Sequence, residues 1–307
     1  MMKYITGIFC LALLLAGCKE TTQPVVVGLD GREFFEPERT PEQQHKLEME
    51  LEAAKNNFEK DPSEDNYIWY GRREAYLAHF DKAISIFTEG IERYPESFSL
   101  YRHRGHRYIT SRKFDLAIAD FKKAASLMAG KPILSEEDGM PNKLNIPVST
   151  VQFNVMYHLG LAYYLKGEYK AAAETFETCL TYCDNDDLLI ATVDWLFMTY
   201  HKLHLKEDAL LVLNKVPEKV TIIENETYLK RLNMYKGLQP PELLLAVEEG
   251  SESADLAFAT QGYGVGNWYL IQGDTASAKN IFKRVVDGSY YSAFGFIAAE
   301  AELIKLK

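Results

Sequence analysis

The strongest constraint on this fold is a trio of side chains that keeps returning at fixed spacing. Gly71, Ala83 and Phe87 recur 34 residues on as Gly105, Ala117 and Phe121. The trio returns again as Gly160, Ala172 and Phe176, and as Gly266, Ala278 and Phe282. Every copy keeps internal offsets of 12 and 4 residues. Phe197, Ala209 and Leu213 form a looser copy with the same offsets. Self-similarity at a period of roughly 20–50 residues marks arrays whose units bury their apolar faces only against one another. An offset of 4 stays on one helix face, so each unit is expected to be two antiparallel helices. Small residues would face each other where the pair crosses, bringing the axes to the lower end of the ~8–10 Å range. The phenylalanine would fill the seam toward the next unit. On this expectation a leucine at Gly105 overpacks the crossing and costs roughly 1–3 kcal/mol.

Accessory residues agree with the trio: Tyr67 and Pro95 in the first copy, Tyr108 in the second, Tyr163 in the third, Tyr269 in the last. The whole pattern resembles the tetratricopeptide repeat. The stretches Tyr101–Tyr108 and Gly262–Trp268 are similar to those of bacterial tetratricopeptide lipoproteins of unestablished activity. The resemblance implies an all-α fold, a right-handed superhelical solenoid of helix hairpins over most of the mature chain. It also implies a concave groove lined by the first helices, where extended peptides or partner helices lie. By that resemblance Arg72, Tyr76, Arg102, His106, Tyr157 and Tyr164 face the groove.

The N-terminus reads as an export signal. Lys3 precedes a mostly apolar run, Ile5 to Leu15, too short for the ~20 residues a spanning helix needs. The run ends in Leu15-Ala16-Gly17-Cys18, which resembles a lipobox, so residues 1–17 are expected to be removed and Cys18 acylated. Lys19, rather than aspartate, follows the cysteine, which by resemblance favours the outer membrane, facing the periplasm. Residues 18–39 lack helical periodicity and are expected to be a flexible tether. Repeats should fill 40–307, opening with a capped helix at Thr40-Pro41-Glu42-Gln43 that runs to about Glu59.

Departures from the period locate special features. The glycines of the second and third copies are 55 apart, so an insertion falls near 130–147, rich in Gly and Pro. Long connections inside a compact array are usually functional or disordered. Ser149 and Gln152 are expected to restart the helix as a capping box. A degenerate pair is expected at Glu224–Lys236 and Pro241–Glu249. The last helix, about Ser289–Leu306, should cap the array with a wetter face carrying Glu300, Glu302, Lys305 and Lys307.

No nucleotide loop, HExxH or GxSxG pattern is present. Gly262-Tyr263-Gly264-Val265-Gly266 lies within a repeat helix and reads as close packing. His103/His106 and His201/His204 are pairs without a third ligand nearby in sequence. Asp184, Asp186 and Asp187 read as helix capping. Cys179 and Cys183, the cysteines left once Cys10 is removed and Cys18 acylated, read as packing residues. No catalytic residue, cofactor or metal is therefore expected. The formal net charge of −10 opposes nucleic acid as a partner. Against that background Arg102, Arg104, Arg107, Arg112 and Lys113, with Arg72 and Arg73 one unit earlier, form a basic cluster. The cluster reads either as a basic, aromatic pocket for an acidic segment or a terminal carboxylate, or as a solvated surface neutralised by acids such as Glu74 and Asp120. The expected function is a membrane-anchored scaffold that binds a protein or peptide partner in its concave groove. A second reading is a glycan-binding lipoprotein using some of the 19 tyrosines and 3 tryptophans. A third, an enzyme built on the insertion, has no visible nucleophile.

Overall fold

The computed structural model describes residues 23–139, 142–246 and 254–306. The expected signal peptide and the acylation site Cys18 lie outside them, as do Pro141 of the insertion, the 247–249 end of the second degenerate helix, and Lys307.

The repeat prediction holds. Helix α1 (Pro41–Lys60) opens the array, its Thr40–Gln43 capping box complete in both directions. Hairpins follow: α2 (Glu64–Tyr76) with α3 (Phe80–Arg93), then α4 (Phe98–Thr110) with α5 (Phe114–Met128). Next come α6 (Val151–Lys166) with α7 (Tyr169–Cys179), and α8 (Asp186–Lys202) with α9 (Lys206–Leu213). The degenerate pair is α10 (Glu226–Tyr235) and α11 (Pro241–Leu245), after which α12 (Ala254–Ile271) pairs with α13 (Thr275–Val286), and α14 (Phe294–Lys305) ends the chain. No described helix is long and apolar enough to cross a membrane.

The trio does more than the expectation gave it. The alanines are fully buried and each phenylalanine lies over the glycine of its own hairpin, while Phe87 and Phe121 also face the next unit, stacking on His103 at 5.8 Å and His158 at 5.9 Å. A Cβ at Gly105 would sit 2.9 Å from the Phe121 ring, one at Gly160 2.7 Å from Phe176; Gly71 and Gly266 are tighter still against Phe87 and Phe282. The glycine is a socket for the ring. The hairpin turns add a fourth repeat position, seven residues after the trio's first member. Ala78, Arg112, Gly167, His204 and Gly273 all hold positive φ there, between 59° and 90°. This left-handed residue reverses the chain in each unit. Only two of the five are glycine, so the position is hidden in the sequence.

The C-terminal helix corrects the capping expectation. Its acidic residues are buried, not wet. Glu300 pairs with Arg112 at 2.9 Å and Glu302 with Lys202 at 3.0 Å. Lys305 donates to the Tyr169 hydroxyl at 2.6 Å. Phe294 meets the rings of His106 and His158, each at 5.4 Å. Helix α14 thus packs on α12 and α13 and reaches back to α6 and the turns of earlier units. The array curls until its last helix occupies its own inner face. Beside it α6, α8 and α12 converge, with Trp195 stacked on Tyr263 at 5.7 Å.

Residues 23–39 are not tether. Strands β1 (Val26–Val27) and β2 (Glu33–Phe34) form an antiparallel hairpin. Phe34 stacks on Tyr291 at 5.0 Å and meets Phe296 edge-on at 5.6 Å. Arg32 donates to the Val286 carbonyl at 2.8 Å. Val26 is buried and Phe34 packs on α14; two-residue strands carry too few alternations to show as a period. The insertion is extended, and its β3 (Ser135–Glu136) pairs with β4 (Ser149–Thr150). The cap of α6 is Thr150, not Ser149, and Gln152 instead bonds the insertion at Leu134 and Pro132.

Candidate functional site

A cavity of about 340 Å³ remains at the end of the inner face that α14 leaves open. Helices α2, α4 and α6 form its floor, the insertion one wall, and the 224–228 segment with Phe294 the rest. Of the groove residues expected from sequence, Arg72, Tyr76, Arg102, His106 and Tyr157 all line it. Tyr164 does not. It is 2% exposed, its hydroxyl 2.5 Å from that of Tyr263, inside the core where α6, α8 and α12 converge. Its place on a first helix is as expected, but the curl of the array turns that part of the inner face into interior.

Much of the basic cluster has internal partners. Arg104 grips Asp120 with two bonds of 2.8 Å, outside the cavity. Arg73 pairs with Glu50 at 2.7 Å and also donates to the Gly139 carbonyl at 3.1 Å. Arg112 holds α14, as above. Within the cavity, Arg72 lies over Trp69 at 4.4 Å and donates to the Glu137 carbonyl at 2.9 Å. Arg102 meets Glu136 at 2.8 Å, both side chains being 9% exposed. Arg107 was named in the cluster but not assigned to the groove. Among the described residues its side chain makes no ion pair and no hydrogen bond, and lies over the Phe80 ring at 5.9 Å. Burial, reinforced by Arg102 and Arg72, pulls its pKa down to about 10, so it stays cationic at neutral pH.

Three histidines complete the wall. The His106 and His158 rings lie tilted against each other at 4.7 Å, and His158 shares a 2.6 Å hydrogen bond between Nδ1 and the Asn154 carbonyl oxygen. Burial holds His103, His106 and His158 well below the usual imidazole pKa, and the neighbouring arginines add to it. They are neutral at pH 7 and add no competing charge. The acidic wall belongs to the insertion and the segment facing it: Glu136, Glu137, Asp138 and Glu224. Asp138 and Glu224 lie close enough to perturb each other, and burial raises both carboxyls.

Sequence reasoning missed His158, Glu136 and Tyr228 because each arrives from a different unit or from the irregular insertion. It also misassigned the Asp184–Asp187 run. Asn185 caps α8, while the buried Asp187 carboxylate accepts the amides of Ile223, Glu224 and Asn225 at 2.8–2.9 Å. That clamp fixes Glu224 at the cavity. Cys179 and Cys183 pack on the Thr192 hydroxyl, as expected of packing residues. Among the described residues, no group of three or more His, Cys, Asp or Glu side chains is placed to hold a metal ion. The arrangement is suited to binding an anion, with the guanidinium groups as donors and Tyr76, Tyr157 and Tyr228 as partly apolar walls.

A tetratricopeptide repeat family model matches residues 153–186, which span α6 and α7. No curated protein matches. Among solved structures the chain is similar to YrrB, a tetratricopeptide protein with an unusual peptide-binding site, at 15% identity and a TM-score of 0.43, covering 77% of this chain and 92% of that one. It is also similar to a tetratricopeptide repeat protein from Parabacteroides merdae ATCC 43184, at 15% identity and a TM-score of 0.49, covering 86% and 93%. A third similar structure is Naa15/Naa10 bound to HypK-THB, at 14% identity and a TM-score of 0.37, covering 80% and 35%. The α6–α7 hairpin thus matches the tetratricopeptide repeat directly, and three further hairpins are closed by the same glycine–phenylalanine socket, which makes the chain an all-α solenoid of tetratricopeptide-type hairpins.

Proposed function

We propose that this protein is a lipid-anchored scaffold that receives a protein or peptide partner, and that recognition is concentrated in the basic cavity rather than spread along a groove. The anchor is the diacylated Cys18, placing the domain on the periplasmic side of the outer membrane. Substituting Cys18→Ser should abolish incorporation of labelled palmitate and release the protein from the membrane fraction; retained label would refute the anchor. Because α14 fills part of the inner face, an extended peptide has no continuous track to follow. A short acidic element entering the cavity fits the space that is left.

The observation that carries this reading is the half-buried Arg107 guanidinium, lining the cavity with no ion pair among the described residues, beside an Arg72 whose polar contacts are a carbonyl and a tyrosine hydroxyl. A partly desolvated, unpaired charge has more to gain from an anionic ligand than a fully solvated one. Hydrogen bonds to charged groups contribute about 1.5–3 kcal/mol, roughly a 10- to 100-fold effect on affinity. Fluorescence anisotropy with a labelled hexapeptide carrying one aspartate tests it. The wild type should bind, while Arg107→Gln and the asparagine version of the peptide should each lose at least about tenfold. Equal binding of both peptides to both proteins would refute it.

A further inference from the structure

The cavity already holds one carboxylate, supplied by the chain itself. Glu136 sits on β3 of the insertion and reaches the Arg102 guanidinium at 2.8 Å. Its second oxygen accepts from the Asn154 amide at 3.1 Å. Arg102 is not saturated by this contact: its Nε is buried without a hydrogen-bond partner, and one Nη meets His103 Nδ1 at 3.1 Å. The segment carrying Glu136 is anchored at its base, where Gln152 bonds Leu134 and Pro132 and Val151 donates to the Leu134 carbonyl at 2.9 Å, and is held more sparsely beyond it. Its ladder has only two residue pairs, Ser135 with Thr150 and Glu136 with Ser149. Beyond the ladder, basic residues of α2 hold its backbone, Arg72 at Glu137 and Arg73 at Gly139. A ladder this short contributes little stability of its own, so local opening should be far easier than global unfolding.

We propose that Glu136 is a tethered occupant of the anion position, and that a partner's carboxylate enters by exchanging with it at Arg102, releasing the 135–137 segment. This rests on the reading of the cavity as an anion site. The exchange leaves the buried charge count unchanged: one carboxylate departs Arg102 toward solvent as another arrives, while Arg107 gains a counterion it lacked. That second gain drives the exchange. Asp138 and Glu224 at the rim oppose additional negative charge, so a ligand with a single carboxylate is favoured over a polyacidic run. The tethered competitor lowers apparent affinity by the fraction of molecules in which it occupies the site.

The test compares wild type, Glu136→Gln and Arg107→Gln, using the single-aspartate hexapeptide as probe and hydrogen–deuterium exchange of residues 133–138 as a second readout. Glu136→Gln should bind the probe about tenfold more tightly and exchange rapidly even without it. Wild type should exchange rapidly in this segment only when the probe is bound. Glu136→Asp keeps the charge but is one methylene short. It should shift both readouts the same way by less, and it serves if the glutamine variant folds poorly. Unchanged or weaker binding by both variants, with the segment as protected as in wild type, overturns the exchange. If Arg107→Gln still loses affinity in that case, the anion-site reading survives; if no protein binds the probe, both fall.

Discussion

Gly160→Ala tests the socket in isolation. In an exposed helix interior this change would stabilise by about 1 kcal/mol, because alanine loses less backbone entropy. Here the new Cβ would stand 2.7, 2.8 and 2.9 Å from three carbons of the Phe176 ring. Comfortable carbon–carbon contacts lie near 3.5–4.0 Å, so the ring must retreat by roughly 0.7–1 Å. Phe176 is fully buried and Ala172, one turn before it on the same helix, is sealed as well, so no free space receives it. Overpacking of this order costs about 1–3 kcal/mol, which outweighs the propensity gain and leaves a net loss of roughly 0–2 kcal/mol. Urea denaturation followed by circular dichroism measures it. Adding Phe176→Leu should relieve the clash, so the double variant is less damaged than the two singles predict, with a coupling of about 0.5–3 kcal/mol. A stabilisation of about 1 kcal/mol in the single variant, or strict additivity of the pair, would refute the socket.

Other outcomes follow from the same structure. His204→Gly removes an exposed side chain from a φ of 61° and should stabilise by a few tenths to about 1 kcal/mol, seen as a raised urea midpoint; a lowered midpoint contradicts the strain. Asp187→Ala strips three backbone amides of their acceptor at a site 2% exposed. It should cost at least about 2 kcal/mol and speed hydrogen exchange at 223–225; unaltered exchange there would show that the clamp is not needed. The buried cavity histidines titrate below their unfolded value near 6.5, so their contribution is present above that pH and lost as pH falls through and below it. Asp194, raised to about 7 by burial, acts in the opposite direction, so the cavity term is best isolated by difference. The midpoint of wild type relative to His158→Gln should drop between pH 7 and pH 5. A constant difference contradicts the assignment.

What the sequence revealed is what repeats, and what it concealed is what occurs once. Gly71, Gly105, Gly160 and Gly266 each meet a phenylalanine sixteen positions on, so the hairpin was legible four times over. The left-handed turn position was equally regular in space but not in residue type, since alanine, arginine and histidine occupy it where tertiary packing overrides preference. The curl of the array depends on contacts made once, such as Arg112 with Glu300 across 188 residues, and no local period encodes these. Hence α14 read as a wet cap although its glutamates are partnered inside. For the site, Arg72, Tyr76, Arg102, His106 and Tyr157 followed from their places on first helices, and Tyr164 failed because the array closes over it. The cavity's acidic wall comes from the insertion and from Glu224 opposite it, and these contacts have no counterpart in another unit.

Partners should meet the cavity and not the outside of the solenoid. Site-specific photo-crosslinking measures this directly in intact cells. A benzophenone amino acid at Tyr76, on the cavity wall, should give a discrete adduct that disappears in the Arg107→Gln background. The same group at Lys122, exposed on α5, should give none. An adduct at Lys122 with none at Tyr76, or a Tyr76 adduct indifferent to Arg107, would contradict it.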